Sequence, residues 1–318
     1  MLLDNTSEQR VSQFLPFVPP GMTFTYGIEE GEDYRTRLIA DADYAITGQV
    51  AVTKRMLQAA TRLKLVHKSG VGVDNIDIDT ARDLGIRVAR TTGSNAVPVA
   101  EFALGLALSA MRGIAHGNSV LKGGEWRGPA GLPNKTFLIS GKTVGIIGFG
   151  AIGQAFARIL NGFGCSILYN QRSRLPAERE RELNATYASL DEIYAGADLI
   201  SLNCPLTPQT KNMIDRQAFE KMKRTAVLVN VARGGIVVEE DLIWALKSRT
   251  ITAAAVDVFE QEPLPSRSPL LENIDNLVVT PHIAAIASDT ARPTIARIFR
   301  NILAVSRGEA LPESDLVA

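Results

Sequence analysis

The sequence predicts an α/β protein built on a doubly wound parallel sheet, and three observations carry that expectation. From about residue 140 onward, short β-branched runs alternate with amphipathic segments, the order of a parallel sheet covered on both faces. Interior runs such as Val227-Leu228-Val229 are continuously apolar, as strands buried on both sides are. Glycines follow the ends of several runs, where α/β proteins place their ligand loops.

The elements come in order. Strands are predicted over 144–148, 166–170, 199–203, 226–231, 253–259 and 277–280, with helices over 151–162, 190–197, 215–222 and 239–247. The first part repeats the pattern less clearly. It has strands over 44–47, 63–67 and 86–89, helices over 53–60 and 79–84, and Gly48, Gly70 and Gly72 after strand ends. A run at 1–4 is short, and Pro16, Pro19 and Pro20 break up the stretch after it. Between the halves, 95–121 is rich in Ala, Leu and Val and reads as one long helix, although Gly105, Gly113 and Gly117 weaken it in isolation. A second helix, 288–305, comes last.

The totals narrow the function classes. A chain of 318 residues suits two domains, and 46% hydrophobic with 21% charged residues suits a globular protein with a large core. Thirty-four basic and 34 acidic residues cancel, so no basic surplus suggests nucleic acid. Apolar runs such as 102–110 stop well short of a membrane span. The first six residues lack a basic region followed by an apolar one, so no signal peptide is expected and a cytoplasmic location is the default. Cys165 and Cys204 make neither a disulfide framework nor a zinc spacing, and no metal site is expected.

The most specific motif is Gly148-Phe149-Gly150-Ala151-Ile152-Gly153. It follows a strand-like stretch and opens a helix-like one, which makes it a dinucleotide-binding fingerprint of the Rossmann type. Gly148 would permit the tight turn, Gly150 would let the backbone approach a pyrophosphate, and Gly153 would let the helix pack on the strand. The pyrophosphate would sit at the helix N-terminus.

Of three histidines, His67 and His116 read as structural. His282 follows Thr280-Pro281 at a strand end, where an imidazole is placed to exchange a proton. Arg233, in Asn230-Val231-Ala232-Arg233-Gly234-Gly235, ends another strand and suits a carboxylate, which a guanidinium grips by two parallel hydrogen bonds. Glu262, in Asp257-Val258-Phe259-Glu260-Gln261-Glu262-Pro263, is placed to hold one imidazole tautomer and favour the imidazolium. Each residue alone would be read as a turn histidine or a surface ion pair. Three strand ends of one sheet make a shared site the better reading.

Seven ordered segments then resemble the D-isomer-specific 2-hydroxyacid dehydrogenase family. They are Ser69-Gly70-Val71-Gly72-Val73-Asp74-Asn75-Ile76-Asp77, Asn95-Ala96-Val97-Pro98-Val99-Ala100-Glu101, the glycine motif, Cys204-Pro205-Leu206-Thr207-Pro208, Val231-Ala232-Arg233-Gly234, 257–263 and Thr280-Pro281-His282-Ile283. The resemblance implies a Rossmann cofactor domain over 95–285 and a smaller, discontinuous, flavodoxin-like substrate domain over 1–94 and 286–318. It implies an NAD(P)-dependent dehydrogenase and a homodimer. It assigns Arg233 to the substrate carboxylate and carbonyl oxygen, His282 as general acid in reduction, and Glu262 as its partner. Val71 and Gly72 would hold the substrate carboxylate and Asp257 the nicotinamide carboxamide. Further cofactor contacts fall on Gly148, Gly150, Ala151, Ile152, Gly153, Cys204, Pro205, Val231, Ala232 and His282.

The choice of nicotinamide is read from the next turn. An NAD site carries an acid about 20 positions after the glycines. Here Asn170-Gln171-Arg172-Ser173-Arg174 has none, while Arg172, Ser173 and Arg174 offer donors to a 2′-phosphate. NADPH and a reductive 2-oxo acid reaction are expected, with glyoxylate or hydroxypyruvate as substrate. Ala284-Ala285 stands where relatives often have Gly-Gly, which leaves the substrate's size open. Glu262, rather than Gln, argues against a formate-dehydrogenase-like member. The rival readings are a nucleotide-sensing, co-repressor-like interaction protein, and an NAD-dependent member acting on a bulkier 2-hydroxy acid.

Overall fold

A computed structural model of the chain describes residues 1–126, 128, 132, 135–272 and 274–318. The chain divides into two compact units, Met1–Asn95 with Ile286–Ala318, and Ala96–Ala285.

The first unit runs α1 (Glu8–Phe14), α2 (Glu32–Ile39), β1 (Tyr44–Thr47), α3 (Lys54–Ala59), β2 (Leu65–Lys68), α4 (Ile78–Asp83) and β3 (Arg87–Arg90). The strands form a parallel sheet in the order β1-β2-β3. Alternate side chains of β2 serve opposite faces. Val66 joins Leu3, Ile39 and Val88, and Leu65 joins Ala89, Ile298 and Ile302 of the last helix (Ser288–Ser306). The short run at the N-terminus contributes only bridges, from Leu2 to Tyr26 and Ile46. Helices α1 and α2 were not expected from the proline-interrupted opening. Their starts are set by the Ser7 side chain capping Arg10 N–H and by Glu32 and Asp33 in the first turn of α2.

His67 is fully buried here. Its Nδ1 is 3.0 Å from the Lys68 carbonyl and its Nε2 is 3.0 Å from Asn301 Nδ2. Asn301 Nδ2 also donates to Asp315 at 3.0 Å, and Arg297 forks onto the same carboxylate. Burial above all lowers the imidazole to about 4, against the Lys68 hydrogen bond and the Asp315 charge.

The second unit opens with α5 (Ala96–Arg112) and α6 (Ile114–Lys122). The single long helix expected over 95–121 is therefore corrected to two. Gly113 takes φ +67, a left-handed conformation that no helix interior holds, and the two axes bend by 66°. Then come β4 (Thr143–Ile147), α7 (Ala151–Asn161), β5 (Ser166–Asn170), α8 (Ala177–Leu183), β6 (Ala185–Tyr187), α9 (Leu190–Gly196), β7 (Leu199–Leu202), α10 (Arg216–Lys221), β8 (Val227–Asn230), α11 (Glu239–Lys247), β9 (Ala253–Val256) and β10 (Leu277–Val279). All seven strands are parallel, in the order β10-β9-β8-β7-β4-β5-β6. The order reverses between β4 and β7, the crevice where doubly wound sheets bind ligands. Val144, Ile146, Val227 and Val229 pack on one face of this sheet, and Ile147, Ile200 and Leu228 on the other. Among the described residues no single helix is long and apolar enough to cross a membrane.

Candidate active site

The turn after β4 carries the glycine motif at that crevice. Gly148 has φ +92, and a Cβ there would lie 2.3 Å from the Cys204 backbone nitrogen after β7. A Cβ on Gly153 would lie 2.4 Å from the Gly148 carbonyl, so helix and turn pack in direct contact. Gly150 differs: a Cβ there would meet nothing within 4 Å. It is the N-cap of α7, followed by exposed Ala151 and half-buried Ile152. Open space beside unsatisfied helix N–H groups fits a pyrophosphate.

The ribose-side turn follows β5. Gly148 N–H donates to the Asn170 carbonyl at 2.8 Å, joining the two turns. Gln171 Nε2 donates to the Ser173 carbonyl at 2.6 Å, and Arg172 is exposed with no ion pair among the described residues. Arg174, expected to offer a donor, is already engaged: Nε and Nη2 each lie 2.9 Å from a Glu180 oxygen. Cys204, on the other side of the crevice, is buried, and burial pushes its thiol up to about 11, so it stays protonated at neutral pH. Pro205 is exposed beside it, with its carbonyl taken by Thr210 Oγ1 at 2.6 Å.

Three further strand ends converge in the same unit. After β8, Val231 and Ala232 are buried, and the Asn230 amide ties the turn at both Ala232 N–H (3.1 Å) and the Arg233 carbonyl (2.9 Å). A Cβ on Gly234 would lie 1.8 Å from the Phe259 carbonyl carbon. That missing methyl lets the Arg233 turn lie against the turn after β9. There Glu262 Oε1 accepts Phe259 N–H at 2.9 Å, and Oε2 lies 2.5 Å from His282 Nδ1. Burial alone would raise the Glu262 carboxyl. Hydrogen bonds from His282 and Phe259, with the charges of His282 and Arg233, hold it below its ordinary value instead. An ionised Glu262 can only accept, so Nδ1 is the donor in this pair.

His282 itself has φ +53. Asp257 supports that turn. Its carbonyl accepts His282 N–H at 2.8 Å, and its fully buried carboxylate takes Thr280 Oγ1 (2.6 Å), Ile283 N–H (3.0 Å) and Ala284 N–H (2.8 Å). The resemblance assigns Asp257 to the carboxamide; the structure gives its carboxylate these partners. Val71 and Gly72 lie in the loop after β2 of the other unit, where Arg90 Nη1 approaches the Val71 carbonyl at 3.5 Å.

The family model for the NAD-binding domain of D-isomer specific 2-hydroxyacid dehydrogenases matches residues 104–284. The chain is 39% identical over 293 residues to a glyoxylate reductase of Pyrococcus furiosus, covering 89% of this chain and 86% of the relative. It is 38% identical over 278 residues to a hydroxypyruvate reductase of Thermotoga maritima, covering 85% and 88%. Among solved structures, the TT0316 protein of Thermus thermophilus superimposes with a TM-score of 0.87 at 30% identity, covering 100% and 99% of the two chains. The chain belongs to the D-isomer-specific 2-hydroxyacid dehydrogenase family.

As a member of that family it is an oxidoreductase acting on CH–OH donors with NAD(P), with a Rossmann cofactor domain. Of the residues singled out in the sequence, the cofactor-domain ones gather at the ends of β4, β5, β7, β8, β9 and β10. The sequence reading missed Tyr169, Glu180 and the turn-building role of Asp257. An acid 10 positions after Asn170 carries no signal of its own until the fold brings it back to the turn.

Proposed function

We propose that this dehydrogenase reduces a small 2-oxo acid, glyoxylate or hydroxypyruvate, with NADPH. The observation that carries the reading is the 2.5 Å contact between Glu262 and His282, on the same edge of the sheet as Arg233 and the glycine turn. Bound nicotinamide supplies the hydride to the keto carbon. Arg233 is the cation for the substrate's carboxylate and for the oxygen that gains charge. His282 Nε2 gives that oxygen a proton, while ionised Glu262 stabilises the imidazolium beforehand and keeps Nδ1 as its donor. Val71 and Gly72 N–H groups are the proposed donors to the carboxylate. Gly148, Gly150, Ala151, Ile152 and Gly153 would hold the cofactor, with Cys204, Pro205, Val231 and Ala232 beside it.

The preference for NADPH rests on the turn after β5. The Glu180 carboxylate at this turn is taken up by Arg174, and Arg172 and Ser173 stand at the exposed side of the turn. An acid in that turn would repel a 2′-phosphate, and Asn170-Gln171-Arg172-Ser173-Arg174 has none. Names of the relatives as glyoxylate and hydroxypyruvate reductases support the substrate class. The homodimer reading is supported by apolar side chains left exposed in and beside α5 and α6: Val97, Ile114, Leu121, Trp126 and Leu138.

The test is turnover of a panel of 2-oxo acids with NADPH and with NADH. Glyoxylate or hydroxypyruvate should give the highest kcat/KM, with NADPH favoured. Inert substrates throughout would remove the reading. A preference for NADH would remove the cofactor assignment alone. Light scattering in solution reads the oligomeric state.

A further inference from the structure

The ribose-side turn is closed by a network that no step of the reaction uses. Tyr169, the penultimate residue of β5, is fully buried. Its ring stacks on Phe149 of the glycine turn, with centroids 4.3 Å apart. Its hydroxyl donates to Glu180 Oε1 at 2.7 Å and accepts Leu175 N–H at 2.8 Å. Glu180, from α8, therefore has three donors: Tyr169 Oη and two nitrogens of Arg174. Helix α8 is fastened a second time, because Arg179 Nη2 donates to Gln154 Oε1 at 2.7 Å and Gln154 Nε2 donates to the Phe149 carbonyl at 3.0 Å. Turn, helix and glycine loop thus form one closed ring of contacts.

A buried carboxylate at the base of this turn works against a bound phosphate unless its charge is cancelled. Hydrogen bonds from Arg174 and Tyr169 hold the Glu180 carboxyl at about 2, so it is ionised across the working pH range. We infer that Arg174 is a specificity-determining residue that acts through Glu180: it masks the carboxylate and fixes the turn's shape, so that a 2′-phosphate is accepted without Arg174 being its ligand. Arg174 sets the local charge, Glu180 and Tyr169 set its place, and Arg172 and Ser173 remain as the donors. This inference rests on the NADPH reading above.

The experiment is calorimetric binding of 2′,5′-ADP and 5′-ADP to the full chain, with no turnover involved. The unaltered chain should bind 2′,5′-ADP more tightly. Arg174→Ala should weaken 2′,5′-ADP on the order of tenfold while 5′-ADP changes less than about twofold. Arg174→Ala with Glu180→Gln should recover most of the loss, because the charge that Arg174 masked is gone. Arg174→Lys, which keeps the cation but loses the fork, should recover about half of it on a logarithmic scale. If the double variant does not fold, the Lys variant decides. Equal weakening of both ligands, or no recovery in the double variant and none in the Lys variant, overturns the inference. If the unaltered chain shows no preference for 2′,5′-ADP, the NADPH reading fails first. If it prefers 2′,5′-ADP and the variants leave that preference unchanged, only the masking role fails.

Discussion

The Asp257 carbonyl accepts the backbone N–H of His282 at 2.8 Å, and the Asp257 carboxylate takes three more donors from the same turn. A non-glycine residue at φ +53 costs roughly 1–2 kcal/mol, so His282, the proposed proton donor, sits on a backbone that these bonds must hold in place. Asp257→Asn keeps the size but turns an NH2 group toward N–H and O–H donors. It should destabilise the protein by about 2 kcal/mol and lower kcat by at least about tenfold. Urea unfolding and steady-state kinetics read the two effects.

Glu262→Gln leaves the shape of the pair and removes its charge. Since Glu262 is held below its ordinary carboxylate value, it is ionised at neutral pH and stays so as the pH falls through that value. The unaltered enzyme should therefore keep its activity down to mildly acidic pH. The Gln variant should lose about 10- to 100-fold in kcat for reduction at pH 7, with part recovered at lower pH, where bulk protons supply what the carboxylate no longer favours. A pH–rate profile of both proteins checks this.

Gly234→Ala places a methyl 1.8 Å from a backbone carbonyl carbon, and backbone cannot swing aside as a side-chain tip does. The turns carrying Arg233 and Glu262 must then separate. The expected result is a loss of about 3 kcal/mol or more and a raised KM for the 2-oxo acid, with 5′-ADP binding retained in whatever folds. Thermal unfolding and calorimetry measure it.

The His67 network predicts acid sensitivity of the first unit. Its imidazole accepts from Asn301 at Nε2 and donates to Lys68 at Nδ1, so a second proton has no acceptor. The folded value is about 4 against an ordinary 6.5. Because the folded value is the lower one, the unfolded chain binds more protons between the two. Stability is present in full above about pH 6.5 and is lost as the pH falls toward 4, by about 3 kcal/mol. Urea unfolding at pH 7.5, 5.5 and 4, with the His67 imidazole followed by NMR, tests both halves of that statement.

How much of this was legible beforehand differs by residue. Gly148, Gly150 and Gly153 were readable because a strand, a tight turn and a helix start each leave a local mark. Arg233, Glu262 and His282 were readable as residues at strand ends. Gly113 was not distinguishable from Gly105 and Gly117: all three are glycines in an Ala-rich run, and only packing makes one a break and leaves the others inside helices. Strand β6 is three residues long, too short to show a period. Tyr169 and Glu180 were invisible as a pair because they stand 11 positions apart, one on a strand and the other on the helix after the turn. The partners of Asp257 come from a turn more than 20 residues away and exist only once β9 and β10 lie side by side.

The most direct test of the account is the rate of NADPH-dependent glyoxylate reduction in His282→Gln, measured beside its affinity for 2′,5′-ADP. The account predicts a kcat lower by about 10²–10⁴-fold with affinity for the nucleotide within about twofold, since only the proton donor is lost. A variant that reduces glyoxylate at the parental rate would contradict it.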